Sequence, residues 1–188
     1  VPDRVGALHP EIVPLCKKFE ADLILHAGDI STPRVLEQFK SIAPVISVQG
    51  NRDIWSFTSA EKIAYLKVNS VNIAILHGHF SLLRYFIDKI PYYLFGYKFE
   101  RYPKKLKRYA PDARVIIFGH THHRENRWIN DCLFFNPGSA YEGDHVNNSP
   151  SIGLIEIGGE GQLKGTIVPL SPAKWVRDKW VLLNHDKM

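Results

Sequence analysis

Five residues of this 188-residue chain have the donor chemistry of a divalent-metal site: Asp29, Asn51, His77, His120 and His122. Four lie at the end of an apolar run and beside glycine, and His122 follows two residues after His120, as in Gly28-Asp29, Gly50-Asn51, His77-Gly78-His79 and Gly119-His120-Thr121-His122. A carboxylate can bridge two cations, an Asn carbonyl is a hard neutral ligand, and imidazoles suit first-row divalent metals. A lone histidine at a strand end is more often a core or capping group. Here five of the nine histidines (His77, His79, His120, His122, His123) fall in two tight clusters, which packing alone does not explain. Gly50 and Gly119 are what a turn needs where backbone approaches an ion or phosphate closely.

Those ends belong to recognisable elements. Residues 21–29 read as a short buried strand because the apolar stretch is continuous rather than alternating. Residues 44–51, rich in β-branched side chains, read as another, and 70–76 and 113–118 as two more. Helices are expected over 10–20 and over 32–41, the second with Thr32 as N-cap and Pro33 in the first turn. After Arg124 the segments 128–129, 132–135, 151–157 and 166–170 read as a strand meander broken by Asn, Gly and Pro. Strands alternating with helices, then a run of strands, predict a layered α/β domain. In such sheets ligand sites collect at the C-terminal strand ends, where the five donors sit. There is no internal repeat, which excludes a solenoid.

Composition narrows the class. At 21.5 kDa, with 45% hydrophobic and 12% aromatic residues, one domain with a sizeable core is expected and wholesale disorder is excluded. No run approaches the roughly 18 apolar residues of a membrane-spanning helix, and the first residues do not read as a signal peptide. Cys16 and Cys132 form no disulfide framework, so a reducing, cytoplasmic setting is the expectation. The net charge of +5 is unevenly spread. Residues 84–108 hold eight Lys/Arg against Asp88 and Glu100, a net of +6, and the rest of the chain carries −1. An anionic partner would therefore have to meet that one segment.

Gly28-Asp29, Gly50-Asn51-Arg52-Asp53, His77-Gly78-His79 and Gly119-His120-Thr121-His122 resemble, in order, motifs two to five of the calcineurin-like metallophosphoesterases. Asn136-Pro137-Gly138-Ser139 looks like the loop that follows in the small bacterial and archaeal, YfcE-type phosphodiesterase branch. The resemblance covers about residues 1–157. It implies a four-layer α-β-β-α sandwich, a phosphoesterase (a phosphodiesterase by branch), and two divalent cations, with Mn²⁺ first and Fe, Zn, Ni or Co as alternatives. Asp29 would bridge the metals, Asn51, His77 and His120 would complete the second, and His122 would bind the first. A bridging hydroxide would attack phosphorus in line while both cations hold the developing charge. Many relatives carry His after the metal-binding Asn. This chain has Arg52, which cannot donate a proton at neutral pH but can clamp a phosphate oxygen. Protonation of the leaving oxygen would then fall to His79, Asp53 or metal-bound water. Asp53 could equally pair with Arg52 or cap the following turn.

The family's first motif, Asp-x-His at the end of a first strand, is absent. Residues 1–4 look like the loop after that strand, and His9 does not replace it. Three explanations compete: a chain longer than this sequence, a misplaced gene start, or true loss of the strand. The first two are favoured, because the third would strip a buried strand from its neighbours. A rival function follows from the same gap: a non-catalytic scaffold, like the retromer-subunit branch of the superfamily.

Between His79 and Gly119 lie Tyr85, Phe86, Tyr92, Tyr93, Phe95, Tyr97, Phe99, Tyr102 and Tyr109, interleaved with Lys98, Arg101, Lys104, Lys105, Lys107 and Arg108. The expectation is an inserted helical lid at about 84–109. Its surface could be a nucleotide or nucleic-acid groove, a lipid-facing segment, or simply tyrosines packed inward and lysines in water, and a homo-oligomer contact fits any of these. The domain is expected over 1–170. The tail, 171–188, carries Trp175 and Trp180 at an imperfect helical spacing and is expected to dock on its own domain. His26 should pack at its strand end or orient a ligand. His123 should touch substrate or face solvent. Asn136 should fix a turn rather than bind metal. His145 and His185 suggest nothing.

Overall fold

Side-chain alternation along the central strands sets the layers. The computed structural model describes residues 6–30, 32–53, 61–79, 94, 96–141 and 149–183. Its elements, in order, are α1 (Ile12–Lys18), β1 (Ile24–His26), α2 (Pro33–Lys40), β2 (Val45–Ser47), β3 (Ile63–Val68) and β4 (Val71–Leu76). A 3₁₀ turn (Phe99–Arg101), α3 (Pro103–Tyr109), β5 (Val115–Phe118), β6 (Glu125–Ile129), β7 (Cys132–Asn136), β8 (Ser151–Ile157), β9 (Leu163–Pro169), β10 (Ala173–Val176) and β11 (Lys179–Leu182) follow.

Five strands form one sheet in the order β3-β4-β5-β7-β6, with β5 parallel to both β4 and β7 and antiparallel pairs at the edges. Ile73, Ile75, Val115, Ile117, Leu133 and Phe135 point to one face and pack against Leu25, Ile46, Ile155 and Ile167 of a second strand layer. Ala74, Leu76, Ile116, Phe118 and Phe134 point to the other and are covered by Phe99 and Leu106. The second strand layer consists of the parallel pair β1-β2 and the antiparallel pair β8-β9. Its outer face is covered by Ile12 of α1 and by Val35 and Phe39 of α2. The result is the expected α-β-β-α stack. Because the central strands are buried on both faces, their sequences read as continuous apolar runs.

Between β1 and β8 lies a cavity of about 550 Å³, lined by Ile24, Leu25 and Asp29 on one side and Ile152, Leu154 and Ile155 on the other. Among the described residues β1 pairs only with β2 and β8 only with β9, so each turns an open edge toward this space.

Two elements differ from expectation. Strand β3 was not foreseen. The tail is a β-hairpin and not a helix: β10 and β11 pair antiparallel, with Trp175 opposite Trp180. The reason is its tight turn. Arg177 and Asp178 both take left-handed backbone (φ 48° and 61°), which matches the twist of a two-residue hairpin loop. The hairpin does dock on its own domain, Trp180 lying 5.5 Å from the His9 ring and donating its indole N–H to the Ala7 carbonyl. His9 is buried, its Nε2 held by the Ser171 carbonyl at 3.0 Å, and so has a packing role.

The expected lid is described only at residue 94 and residues 96–109; Tyr85, Phe86, Tyr92, Tyr93 and Phe95 lie outside the described residues, as do the expected loop at 1–4, His145 and His185. From 97 onward the segment is packed on the outer face of the five-stranded sheet, with Tyr97, Tyr102 and Tyr109 against that core. No helix among the described residues is long and apolar enough to cross a membrane.

Candidate metal centre

The segments following β1, β2, β4 and β5 converge at one edge of the molecule. They bring together Asp29, Asn51, His77 and His120. Asn51 Oδ1 lies 2.9 Å from His77 Nε2 and 3.0 Å from His120 Nδ1, and Asp29 Oδ1 lies 3.4 Å from the same His77 Nε2. Close approach is possible because residue 50 is glycine: a Cβ there would collide with the Asp29 backbone amide and carboxylate. Asp29, His120 and His122 all hold left-handed backbone, with φ of 65°, 65° and 59°. Non-glycine residues there carry roughly 1 kcal/mol of strain each, which persists only where surroundings enforce it.

The protonation of His77 follows from its neighbours. Its Nδ1 lies 2.7 Å from the Ala27 carbonyl, which can only accept, so Nδ1 carries the hydrogen. Burial lowers the His77 pKa, against a smaller raising effect of Asp29. Neutral His77 therefore presents a bare Nε2 lone pair to the oxygens of Asn51 and Asp29. Lone pair facing lone pair is repulsive unless a cation lies among them or the Asn51 amide turns over. His120 is also held neutral, its pKa pushed down to about 3 by burial and then by His77. Unprotonated imidazoles are the form that binds metals.

His122 lines the adjacent cavity with Asp29 and His120 and lies within electrostatic reach of His77 and His120. Among the described residues no three His, Cys, Asp or Glu side chains form a closed ligand set. His79 sits beside it, 5.3 Å from the His77 ring and 6.3 Å from that of His120, and its buried Nδ1 has no hydrogen-bond partner among the described residues. Burial lowers its pKa as well.

Arg52 occupies the rim. Its backbone N–H donates to Asp29 Oδ1 at 2.9 Å, and its partly exposed guanidinium Nε is 3.7 Å from Asp29 Oδ2. Asp53 is buried; its Oδ2 accepts the amide hydrogens of Gly50 at 2.6 Å and Asp29 at 3.0 Å. Asn136 fixes a turn as expected: its amide donates to the Gly119 carbonyl and the Thr121 hydroxyl, and its oxygen accepts the Gly138 amide. His26 packs edge-on to Phe39 while its Nδ1 accepts the Gly28 amide at 3.2 Å. His123 is half-buried and its ring stacks on that of Tyr97.

The Ala27 carbonyl that fixes the His77 tautomer leaves no sequence signal. Glu125, a buried carboxylate opening a strand just after the histidine cluster, could have been noticed as an acid at an apolar position.

Residues 4–159 match the model of the calcineurin-like phosphoesterase superfamily domain. The chain belongs to that superfamily. It is 28% identical over 166 residues to a probable metallophosphoesterase of Methanothermobacter thermautotrophicus, spanning 85% of this chain and 82% of the relative. It is 24% identical over 136 residues to a phosphodiesterase of Methanocaldococcus jannaschii, spanning 72% of this chain and 76% of that protein. In structure it resembles Vps29 of Entamoeba histolytica complexed with Zn²⁺, with a TM-score of 0.65 and 22% identity over 90% of this chain and 93% of that one. The family supports a phosphoesterase function that depends on divalent metal ions.

Proposed function

We propose that this protein is a metal-dependent phosphoesterase acting on a phosphodiester, with Asp29, Asn51, His77 and His120 as ligands of one cation and Asp29 and His122 as ligands of a second. The observation that carries the reading is Asn51 Oδ1, set between His77 Nε2 and His120 Nδ1 with no hydrogen available from His77. That cluster is built to receive positive charge. The mixed oxygen and imidazole donors suit Mn²⁺, with Fe, Zn, Ni or Co as alternatives. Bound cations would supply charge stabilisation for the phosphoryl oxygens and the water that attacks phosphorus.

The chain's own residues do the rest. Arg52 reaches over the rim to hold a phosphate oxygen. His79, beside His77 and His120, delivers the proton to the leaving oxygen from its protonated form, which burial makes the minor one at neutral pH. Asp53 holds the strand-end loops in register. A strand seated in the cavity between β1 and β8 would pair with both open edges and supply the remaining ligands beside His122. The size and lining of that cavity support such an occupant.

The test is the metal content of protein loaded with Mn²⁺ and desalted, measured per chain beside hydrolysis of bis(p-nitrophenyl) phosphate. A value near two with turnover is expected. A value of one or below with no turnover would overturn the two-metal reading. No metal at all would favour a scaffold on the same fold, a reading that the resemblance to Vps29 keeps in view.

A further inference from the structure

The loop between β5 and β6 places two of the proposed ligands in left-handed backbone, so something must hold it there. On one side Asn136, at the end of β7, binds the Gly119 carbonyl and the Thr121 hydroxyl. The other side is held from the basic aromatic segment. The Tyr97 ring stacks on His123, with centroids 3.8 Å apart and planes within 7°. Its hydroxyl donates to Glu125 Oε1 at 2.9 Å and lies in hydrogen-bonding reach of Thr121. Glu125 is buried and its other oxygen forms an ion pair with Arg127, 2.8 Å from Nε. Arg127 in turn lies over the Phe99 ring, 4.7 Å from its centroid, which ties the arrangement back to the segment that carries Tyr97. Burial and the Glu125 hydrogen bond keep the Tyr97 phenol protonated, so it stays a donor.

We propose that Tyr97 is a positioning residue for the metal centre, setting the loop of His120 and His122 through His123, Thr121 and Glu125. This rests on the metal-centre reading above. It gives the aromatic segment a duty beyond covering the sheet, since the ligand loop is clamped between Asn136 and Tyr97. Groups that orient metal ligands without touching the metal alter affinity when they are lost.

Two variants and two measurements test it. Tyr97→Leu removes both the stack and the hydroxyl; Tyr97→Phe removes the hydroxyl alone. Hydrogen exchange of residues 119–124 is read without metal, and Co²⁺ titration with visible spectroscopy reads affinity and ligand geometry. Tyr97→Leu is expected to exchange about tenfold faster in that loop and to bind Co²⁺ about tenfold more weakly with an altered spectrum. Tyr97→Phe should fall between it and the parent. Unchanged exchange in β4 and β5 shows that the fold is intact, and if Tyr97→Leu fails that control the decision passes to Tyr97→Phe. Parent-like loop exchange in a folded variant overturns the proposal whether or not metal binds. A parent protein that takes up no Co²⁺ sinks the metal reading instead, and the exchange result still decides whether Tyr97 fastens the loop.

Discussion

Asp53 holds Asp29 by its backbone: the buried Oδ2 accepts the Asp29 amide hydrogen at 3.0 Å. The same oxygen accepts the Gly50 amide at 2.6 Å, so one carboxylate joins the loops after β1 and β2. Asp29 needs such a restraint because its φ is 65°. An amide oxygen could take the same two hydrogens. Asp53→Asn should therefore keep its metal stoichiometry and activity within about tenfold, while Asp53→Ala leaves two buried amides unpaired at about 1–3 kcal/mol each. Thermal melts with metal analysis separate the two. If Asp53→Asn binds metal normally but does not turn over, the carboxyl is the proton donor.

The assignment of His79 to proton delivery predicts a dependence on the leaving group. Removing a general acid typically costs about 10²–10⁴-fold where the departing oxygen needs its proton. His79→Asn should lose about 100-fold or more on an alkyl phosphodiester and much less on a p-nitrophenyl ester, whose phenolate leaves without help. Equal losses on both substrates would mean that His79 positions the site instead.

His26 gives a pH signature that does not involve metal. Its Nδ1 accepts the Gly28 amide, so the neutral ring is the native form, and burial, then His77, push its pKa from 6.5 down to about 4. The unfolded chain binds this proton more readily than the folded one, so the contribution to stability is present above about pH 6.5 and is lost as pH falls toward about 4. His26→Asn preserves an acceptor near the Nδ1 position and cannot titrate. Its melting temperature should fall less steeply than the parent's between pH 7 and 4.5. Parallel curves would show that other groups govern the acid limb.

The meeting of Asp29, Asn51, His77 and His120 was legible because each closes an apolar run beside glycine, and the strand ends that carry them converge. Strand β3 was hidden by its edge position, where exposed Tyr65 and Lys67 interrupt the apolar pattern. The tail hairpin was hidden by its turn, which uses Arg177 and Asp178 in left-handed backbone instead of the glycine that usually marks such loops. The duties of Asp53 and Tyr97 could not be read at all. Each depends on two segments distant in sequence meeting in space, and neither residue type nor local spacing encodes that.

The basic segment separates into lysines that serve the fold and cations that face water. Lys107 Nζ donates to the Pro111 and Ala113 carbonyls at 2.8 and 2.9 Å, closing the loop after α3. Lys104 and Arg108 on the same helix are exposed. Lys107→Ala should cost about 1–2 kcal/mol of stability through the two lost bonds, with little change in substrate affinity. Lys104→Glu with Arg108→Glu should leave stability nearly unchanged. If the helix steers long anionic substrates, that pair raises KM for an oligonucleotide at low salt, and the effect shrinks as salt screens it, while KM for a small diester stays constant. The same KM change for both substrates would show that these charges act on the site and not on a polyanion. No change for either would leave the segment with its packing role and with Tyr97.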